Sequence, residues 1–285
     1  MKYRSSKINF EFDVKAEKCI VCTSSDIKDY FVDHNGISIS KCNVCAFEFM
    51  NPQYSDKYLE EYYSTYMESE DFSHWHEALL YGHNFYFSLI EKHTSPGKAL
   101  DIGCGNGHLL EVALNRGWSV HGYDVDKTST QNVARRLNIE VDYGDLFSSN
   151  IKSGFDLVTM HQVLEHLKDP NKYLEYIYKL INNDGYLFVA VPNIKSLSNR
   201  MKHFLERVGI RRKNVGKYYA TGHHVLYFEP KTLVNLLEQH GFKVVLQRNC
   251  HSSRPNQSRL TRFLMRNITD HFFKKGTFLV IAKKV

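Results

Sequence analysis

Two stretches of this chain have residue types and spacings that could do chemistry. In the first, Cys19-x2-Cys22 is followed after nineteen residues by Cys42-x2-Cys45. Each C-x2-C sets two thiolates on one tight knuckle, and two knuckles offer four sulfurs to a tetrahedral ion, the zinc-ribbon pattern. Four thiolates leave no open coordination position, so the zinc expected here is structural. In the second, Lys98-Ala99-Leu100-Asp101-Ile102 runs into Gly103-Cys104-Gly105-Asn106-Gly107 and then His108-Leu109-Leu110. The apolar run reads as a strand covered on both faces, the glycines as a turn tolerant of positive φ, and the renewed apolar spacing as a helix. Such a turn aims N–H groups and a helix N-terminus at whatever lies above it, which suits a polar or anionic ligand. Cys104 fits that turn as a small packing residue, not as a nucleophile.

The elements that must position this turn follow from the pattern after residue 98. Apolar runs at 98–102, 118–124, 139–143, 155–160 and 186–191 alternate with helical stripes at 108–116, 127–137 and 172–181. That alternation predicts an α/β fold, a mostly parallel sheet with helices on both faces, whose ligands bind beyond the carboxyl ends of the strands. Three strand ends then meet in one crevice: Asp101 with the glycines, Asp124 with Val125, and Asp145 with Leu146. A carboxylate about twenty residues past the glycine turn suits the two hydroxyls of a ribose. Asp145-Leu146 suits a nucleobase, by one hydrogen bond and one apolar contact. A dehydrogenase would want G-x-G-x-x-G, but position 108 is His.

Ala99–Gly107, His121–Asp124, Gly144–Leu146 and Phe155–Pro170 together resemble the successive motifs of class I S-adenosylmethionine-dependent methyltransferases. The resemblance covers roughly residues 97–285. It implies a Rossmann-like sheet of seven strands, closed by an antiparallel pair formed from Phe242–Leu246 and Thr277–Ala282. It implies S-adenosylmethionine as cofactor, held by Asp101, Gly103, Cys104, Gly105, Asn106, Gly107, Asp124, Val125, Asp145 and Leu146. His161 and Gln162 would face its methionine end. Val163-Leu164-Glu165-His166 resembles a signature of the quinone and sugar methylases within that family. The same stretch lacks the Asn/Asp-Pro-Pro-aromatic motif of amino-directed nucleobase methyltransferases.

Methyl transfer to a hydroxyl needs a base near the crevice. The candidates are His161, Glu165 and His166, together with His223 and His224 in Thr221-Gly222-His223-His224. A His near its ordinary pKa of about 6.5 can take the proton. Glu165, His166 and one of His223 or His224 also resemble the metal site of RNA 3′-terminal ribose methyltransferases, with Gln162 where that motif, E-x-x-E-H, has its first Glu. Residues 194–229 read as an insertion carrying eight Lys and Arg against Glu206 and Glu229. Its Arg211 and Arg212 are expected to bind phosphate or carboxylate on the acceptor. Tyr62 and Tyr66 of an aromatic-rich stretch, and Tyr227, are further candidates for acceptor contact.

The chain of 285 residues carries a formal charge of +6 and no low-complexity tract. No apolar run approaches the ~18 residues of a membrane span. The basic start, Met1–Lys7, is followed by no apolar signal core, so a cytoplasmic location is expected. The organisation expected is a zinc-ribbon-like module over 1–50, an aromatic-rich helical cap over 51–96, and a methyltransferase domain over 97–285. The acceptor expected is small: a sugar, a nucleotide-sugar or a related anionic metabolite. The alternative is RNA, gripped by the ribbon and the basic insertion.

Overall fold

The computed structural model describes residues 10–33, 36–69, 76–208, 219–250, 258, 260 and 276–285. Near the N-terminus, β1 (Ile27–Val32) and β2 (Ser38–Cys42) form an antiparallel hairpin, and β3 (Glu48–Met50) adds to β2. Their small core is Cys19, Ile39, Cys42, Phe47, Phe49 and Met50, all buried. Two helices follow, α1 (Asp56–Ser69) and α2 (His76–Ile90).

From residue 98 the chain winds strand and helix in turn. The elements are β4 (Lys98–Ile102), α3 (His108–Asn115), β5 (Ser119–Asp124), α4 (Lys127–Leu137), β6 (Glu140–Tyr143), β7 (Phe155–His161), α5 (Pro170–Leu180) and β8 (Ile181–Pro192). Polar residues mark the helix starts. Asp126 accepts from the Ser129 amide to cap α4, and Asp169 accepts from the Lys172 amide to cap α5, which opens on Pro170. After β8 come α6 (Leu197–Arg207), β9 (Leu226–Tyr227), α7 (Pro230–Gln239), β10 (Phe242–Cys250) and β11 (Thr277–Lys284).

The main sheet has seven strands in the order β10-β11-β8-β7-β4-β5-β6. β8, β7, β4, β5 and β6 run parallel, and β11 is antiparallel to both of its neighbours. Helices cover both faces, which is why Leu187–Val191 of β8 is buried without interruption. On one face α2 packs Phe87, Leu89 and Ile90 against Ala99, Trp118, Leu157 and Phe188. On the other, α5 and α7 bury Leu174, Ile177, Leu233, Leu236 and Leu237. Among the described residues, no helix is long and apolar enough to cross a membrane.

The smaller sheet does not end with the N-terminal hairpin. β9, from within the basic insertion, adds antiparallel to β3 and completes the order β1-β2-β3-β9. Glu48 faces Tyr227 and Phe49 faces Leu226 across that seam. A strand of two residues inside a long connection carries no periodic signal, so this junction was not legible beforehand.

Candidate functional site

The glycine turn joins β4 to α3 and is held by its neighbours' backbones. Gly103, Gly105 and Gly107 have φ of +74°, +49° and +72°. The amides of Gly103 and Cys104 both donate to the Tyr123 carbonyl, at 2.7 and 3.0 Å. A Cβ on Gly103 would run into Val163 of the turn after β7, so only glycine fits there. Asp124, at the end of β5, accepts from the Gly105 amide at 2.8 Å and from the Asp126 amide at 3.1 Å. Asp101, at the end of β4, is buried and accepts a 2.6 Å hydrogen bond from the Thr159 hydroxyl. Burial, opposed by Thr159 and reinforced by Asp124, pushes the Asp101 carboxyl up to about 7. Burial raises Asp124 as well. Two carboxyls that burial makes resist ionisation gain from a cationic ligand.

A cavity of about 480 Å³ opens above the turn. Its floor is Asp101–Asn106, one wall is Asp124 and Val125, and its far side is His161, Gln162, Glu165, His166, His223 and His224. Tyr62 and Tyr63 of α1 and His83 of α2 complete it. The volume lies within the range of small-molecule sites. Gln162 sits at φ +59°, with its amide and its side-chain Nε2 both donating to the Ala190 carbonyl at 2.8 and 3.2 Å. A non-glycine residue held there is typical of a ligand-binding turn.

Several expected site residues lie elsewhere. Gly107 does not line the cavity; it caps α3, and its amide turns back to the Cys104 carbonyl at 2.8 Å. Asp145 is not among the residues lining the cavity; its carboxylate caps the single helical turn Leu146–Ser148, accepting from the Ser148 hydroxyl at 2.7 Å and the Phe147 amide at 3.2 Å. Leu146 is wholly buried beneath that turn. Tyr227 points into the β3–β9 seam: its hydroxyl donates to the His224 carbonyl, and its ring packs edge-on against Tyr219. Arg211, Arg212 and the Tyr66 side chain lie outside the described residues.

The histidines form two groups. His166, His223 and His224 pack ring on ring, with centroids 4.2 to 5.4 Å apart, and Tyr62 lies parallel to His223. His166 donates from Nδ1 to the His223 carbonyl at 3.0 Å, which leaves its Nε2 as the acceptor, 4.0 Å from Glu165 Oε1. Neither Glu165 oxygen has a hydrogen-bond partner. Ligand atoms of Glu165, His166 and His224 lie within 4.8 Å of one another. Burial holds this group uncharged: His166 falls to about 3, His223 to about 4, His224 well below the ordinary value, and Glu165 rises to about 8. The second group is His161 with His83 and Tyr86 of α2, at 5.1 and 5.4 Å. His83 is buried, lines the cavity, and its Nδ1 has no hydrogen-bond partner. Sequence reasoning missed it; the available signal was one histidine on the buried, aromatic face of a helix.

The four N-terminal cysteines are free thiols that converge. Cys19 Sγ lies 3.6 Å from Cys45 Sγ, Cys22 Sγ lies 3.5 Å from Cys42 Sγ, and all four fall within 4.8 Å of one another. Sulfurs around tetrahedral zinc, each about 2.3 Å from the ion, stand about 3.8 Å apart, so this set fits the ion. The Cys45 amide points at Cys42 Sγ, 3.5 Å away, as an amide does beside a thiolate. Asn171 of α5 donates to the carbonyls of Ile20 and Val21 and pins the first knuckle to the main domain.

The loop carrying His223 and His224 hangs between these two parts. Thr221 donates to Asp33 at 2.6 Å, and Tyr54 donates to the Thr221 carbonyl at 2.7 Å. Glu48 of β3 accepts from Lys41, Lys195 and the Tyr219 hydroxyl at 3.0, 2.7 and 2.9 Å. Burial opposes its charge, but the two ammonium groups outweigh burial and hold Glu48 below the usual carboxylate range.

With this geometry established, comparison with known proteins gives a consistent result. A family model described as a methyltransferase domain matches residues 72–247. A ubiquinone biosynthesis O-methyltransferase of Pseudomonas aeruginosa is 35% identical over 104 residues, which is 34% of this chain and 44% of that protein. One from Chromobacterium violaceum is 32% identical over 115 residues, 37% of this chain and 49% of its own length. The chain therefore spans about half the length of the curated relatives it matches. Among solved structures, a SAM-dependent methyltransferase from Thermotoga maritima superposes with a TM-score of 0.54 at 16% identity, covering 80% of this chain and 98% of that one. An S-adenosylmethionine-dependent methyltransferase from Mesorhizobium loti gives 0.53 at 16% identity, covering 72% and 100%. At these identities the likeness is one of fold.

Proposed function

Because the chain belongs to the methyltransferase-domain family, we propose that it moves the methyl group of S-adenosylmethionine to a hydroxyl of a small acceptor, anionic or sugar-containing. The observation that carries this reading is the cavity itself. A glycine turn with two buried carboxyls forms one end, and a cluster of uncharged histidines forms the other. The relatives from Pseudomonas and Chromobacterium are named O-methyltransferases, which supports oxygen as the atom modified.

In this reading the cofactor supplies a methyl group already activated on a sulfonium. The backbone of Gly103–Asn106 gives it close approach, Asp124 and Val125 flank its nucleoside, and Asp101, His161 and Gln162 surround its cationic amino-acid end. His223 or His224 takes the acceptor proton, since burial keeps both rings neutral at pH 7. Tyr62 and Tyr63 shield the space between donor and base from water. Cys19, Cys22, Cys42 and Cys45 would hold a structural zinc. A thiolate site of that kind is compatible with a reducing compartment, and a cytoplasmic location is part of the proposal.

The test is transfer of labelled methyl from S-adenosylmethionine to fractionated small-molecule and RNA pools. Label in the small-molecule pool, stable when the reaction is run in a chelator too weak to strip the thiolate zinc, is the expected result. Label only in RNA, with steeply salt-dependent retention, would replace the acceptor class. Activity lost on chelation and restored by a divalent ion alone would make Glu165, His166 and His224 metal ligands in place of the proposed base.

A further inference from the structure

Across the cavity from the glycine turn, hydrogen-bond acceptors converge on one point. Glu165 is 1% exposed and lines the cavity, and neither of its oxygens has a hydrogen-bond partner. His166 donates its Nδ1 proton to the His223 carbonyl, so its Nε2 offers a lone pair, 4.0 Å from Glu165 Oε1. His224 brings a ring nitrogen within 4.8 Å of both. A buried carboxyl without partners is costly, and a ligand that satisfies it recovers the cost.

The group that fits there must donate in several directions. An anion would meet Glu165 and the rings of uncharged histidines, and among the described residues no Lys or Arg lines the cavity. An ammonium carries three N–H donors on one charge. Acceptors that share one ammonium at about 2.8 Å stand about 4.0–4.6 Å apart. Neighbouring ligands of an octahedral magnesium ion, each about 2.1 Å from it, stand about 3.0 Å apart. The 4.0 Å between Glu165 and His166 matches the ammonium. Tyr62 and Tyr63 of α1 flank the same space, Tyr63 edge-on to His166 at 5.9 Å, and aromatic walls favour an organic cation.

We propose that Glu165, His166 Nε2 and His224 form an ammonium-binding subsite, and that the acceptor is a sugar or other small alcohol bearing a protonated amine beside the hydroxyl that is methylated. This rests on the proposed methyl transfer to a hydroxyl and narrows its acceptor class. The amine is a handle and not the nucleophile, because a protonated nitrogen has no lone pair with which to attack the methyl group. With His224 on the ammonium, His223 takes the hydroxyl proton. The two rings are 4.2 Å apart, which places amine and hydroxyl on neighbouring carbons. Discrimination follows, since a neutral alcohol of the same shape leaves the buried acceptors unpaired.

The experiment titrates the full chain, saturated with S-adenosylhomocysteine, with two pairs of probes followed by ligand-observed NMR. The pairs are 2-aminoethanol against ethylene glycol and glucosamine against glucose. Each amine should bind at least about tenfold more tightly than its alcohol. E165Q should abolish that preference while keeping the parent melting temperature and S-adenosylhomocysteine affinity. Equal binding of amines and alcohols by the parent overturns the proposal, whatever the variant does. A preference that survives in E165Q overturns it too. Manganese chloride bound at one site that E165Q loses, with no preference for the amines, overturns it in favour of a metal ion. A parent chain that binds no S-adenosylhomocysteine overturns the methyltransferase reading instead, and the amine preference is then read without it.

Discussion

The amide of Val225 donates to the carbonyl of Glu165 at 2.9 Å, and so ties the loop of His223 and His224 to the turn that follows β7. The Val225 carbonyl in turn accepts from the Met50 amide at 2.9 Å. One residue thus links the four-cysteine module to both halves of the histidine cluster. Its neighbours Thr221 and Tyr219 repeat the link through Asp33 and Glu48.

Thr221→Val tests this strap without changing the shape of the side chain. The Asp33 oxygen that accepts from the Thr221 hydroxyl is buried, and losing its donor costs about 1–3 kcal/mol. Turnover should fall while S-adenosylhomocysteine affinity, read by calorimetry, stays within about twofold of the parent. Equal loss of both would mean that the strap shapes the whole cavity.

His223→Ala and His224→Ala should be examined separately. The variant that removes the base should lose about 10²–10⁴-fold in kcat and little in cofactor affinity. Because burial lowers His223 to about 4, kcat at saturating cofactor should be flat from pH 8 to about 5.5 and fall only below that. An acid limb centred on the ordinary histidine value would show that the catalytic imidazole is solvated during turnover.

Cofactor affinity should carry the pH dependence instead. Asp101 has a folded-state pKa of about 7, above its unfolded value of about 3.9. The neutral carboxyl therefore favours the empty fold at low pH, and that contribution is lost as pH rises through 7. A cationic ligand reverses the preference, so binding should tighten as pH rises from about 5 to 8 and should release a proton near pH 6. Calorimetry in buffers of different ionisation enthalpy measures that proton. Asp101→Asn should bind more weakly and without this pH dependence.

Gly103→Ala combines a positive φ with a clash against Val163. The strain should cost about 1–3 kcal/mol of stability, more than for Gly105→Ala, where a Cβ meets nothing within 4 Å, and cofactor affinity should drop with it. A Gly103→Ala protein that melts and binds as the parent does would place the cofactor away from this turn.

Purified protein should contain one zinc per chain, and Cys42→Ser should lose it. Losing a structural zinc should cost at least about 4 kcal/mol, or about 10 °C in Tm. Because the module also holds the histidine loop, kcat should fall with the zinc content across partly depleted samples. Metal-free protein with the parent melting temperature would remove zinc from the account.

The sequence made some parts of this molecule legible and hid others for physical reasons. The glycine turn, the strand ends at Asp101 and Asp124 and the alternation of strand and helix rest on local features, strand-end residues and apolar runs, whereas the seven strands with an antiparallel closing pair came from the family resemblance. The C-x2-C pairs are local too. Asp145, expected at a nucleobase from its place at a strand end, also caps the turn Leu146–Ser148 through the Phe147 amide and the Ser148 hydroxyl, contacts that only the folded turn reveals. His83 and the β3–β9 seam depend on contacts between segments about 80 and 180 residues apart, of which a single sequence bears no mark. Tyr227 carries the same lesson, since a two-residue strand turned its ring away from the cavity.

The β3–β9 seam also sets an order of events at the ribosome. Phe49 and Met50 are wholly buried in the finished protein, yet the strand that covers them lies about 175 residues downstream. At about 5–20 residues per second, the open edge of β3 waits on the order of ten to thirty seconds for its partner. For that interval the nascent module presents an apolar, unpaired strand, the kind of surface that recruits chaperones or neighbouring chains. Synthesis rate and chaperone supply, rather than final stability, should therefore govern the yield of soluble protein.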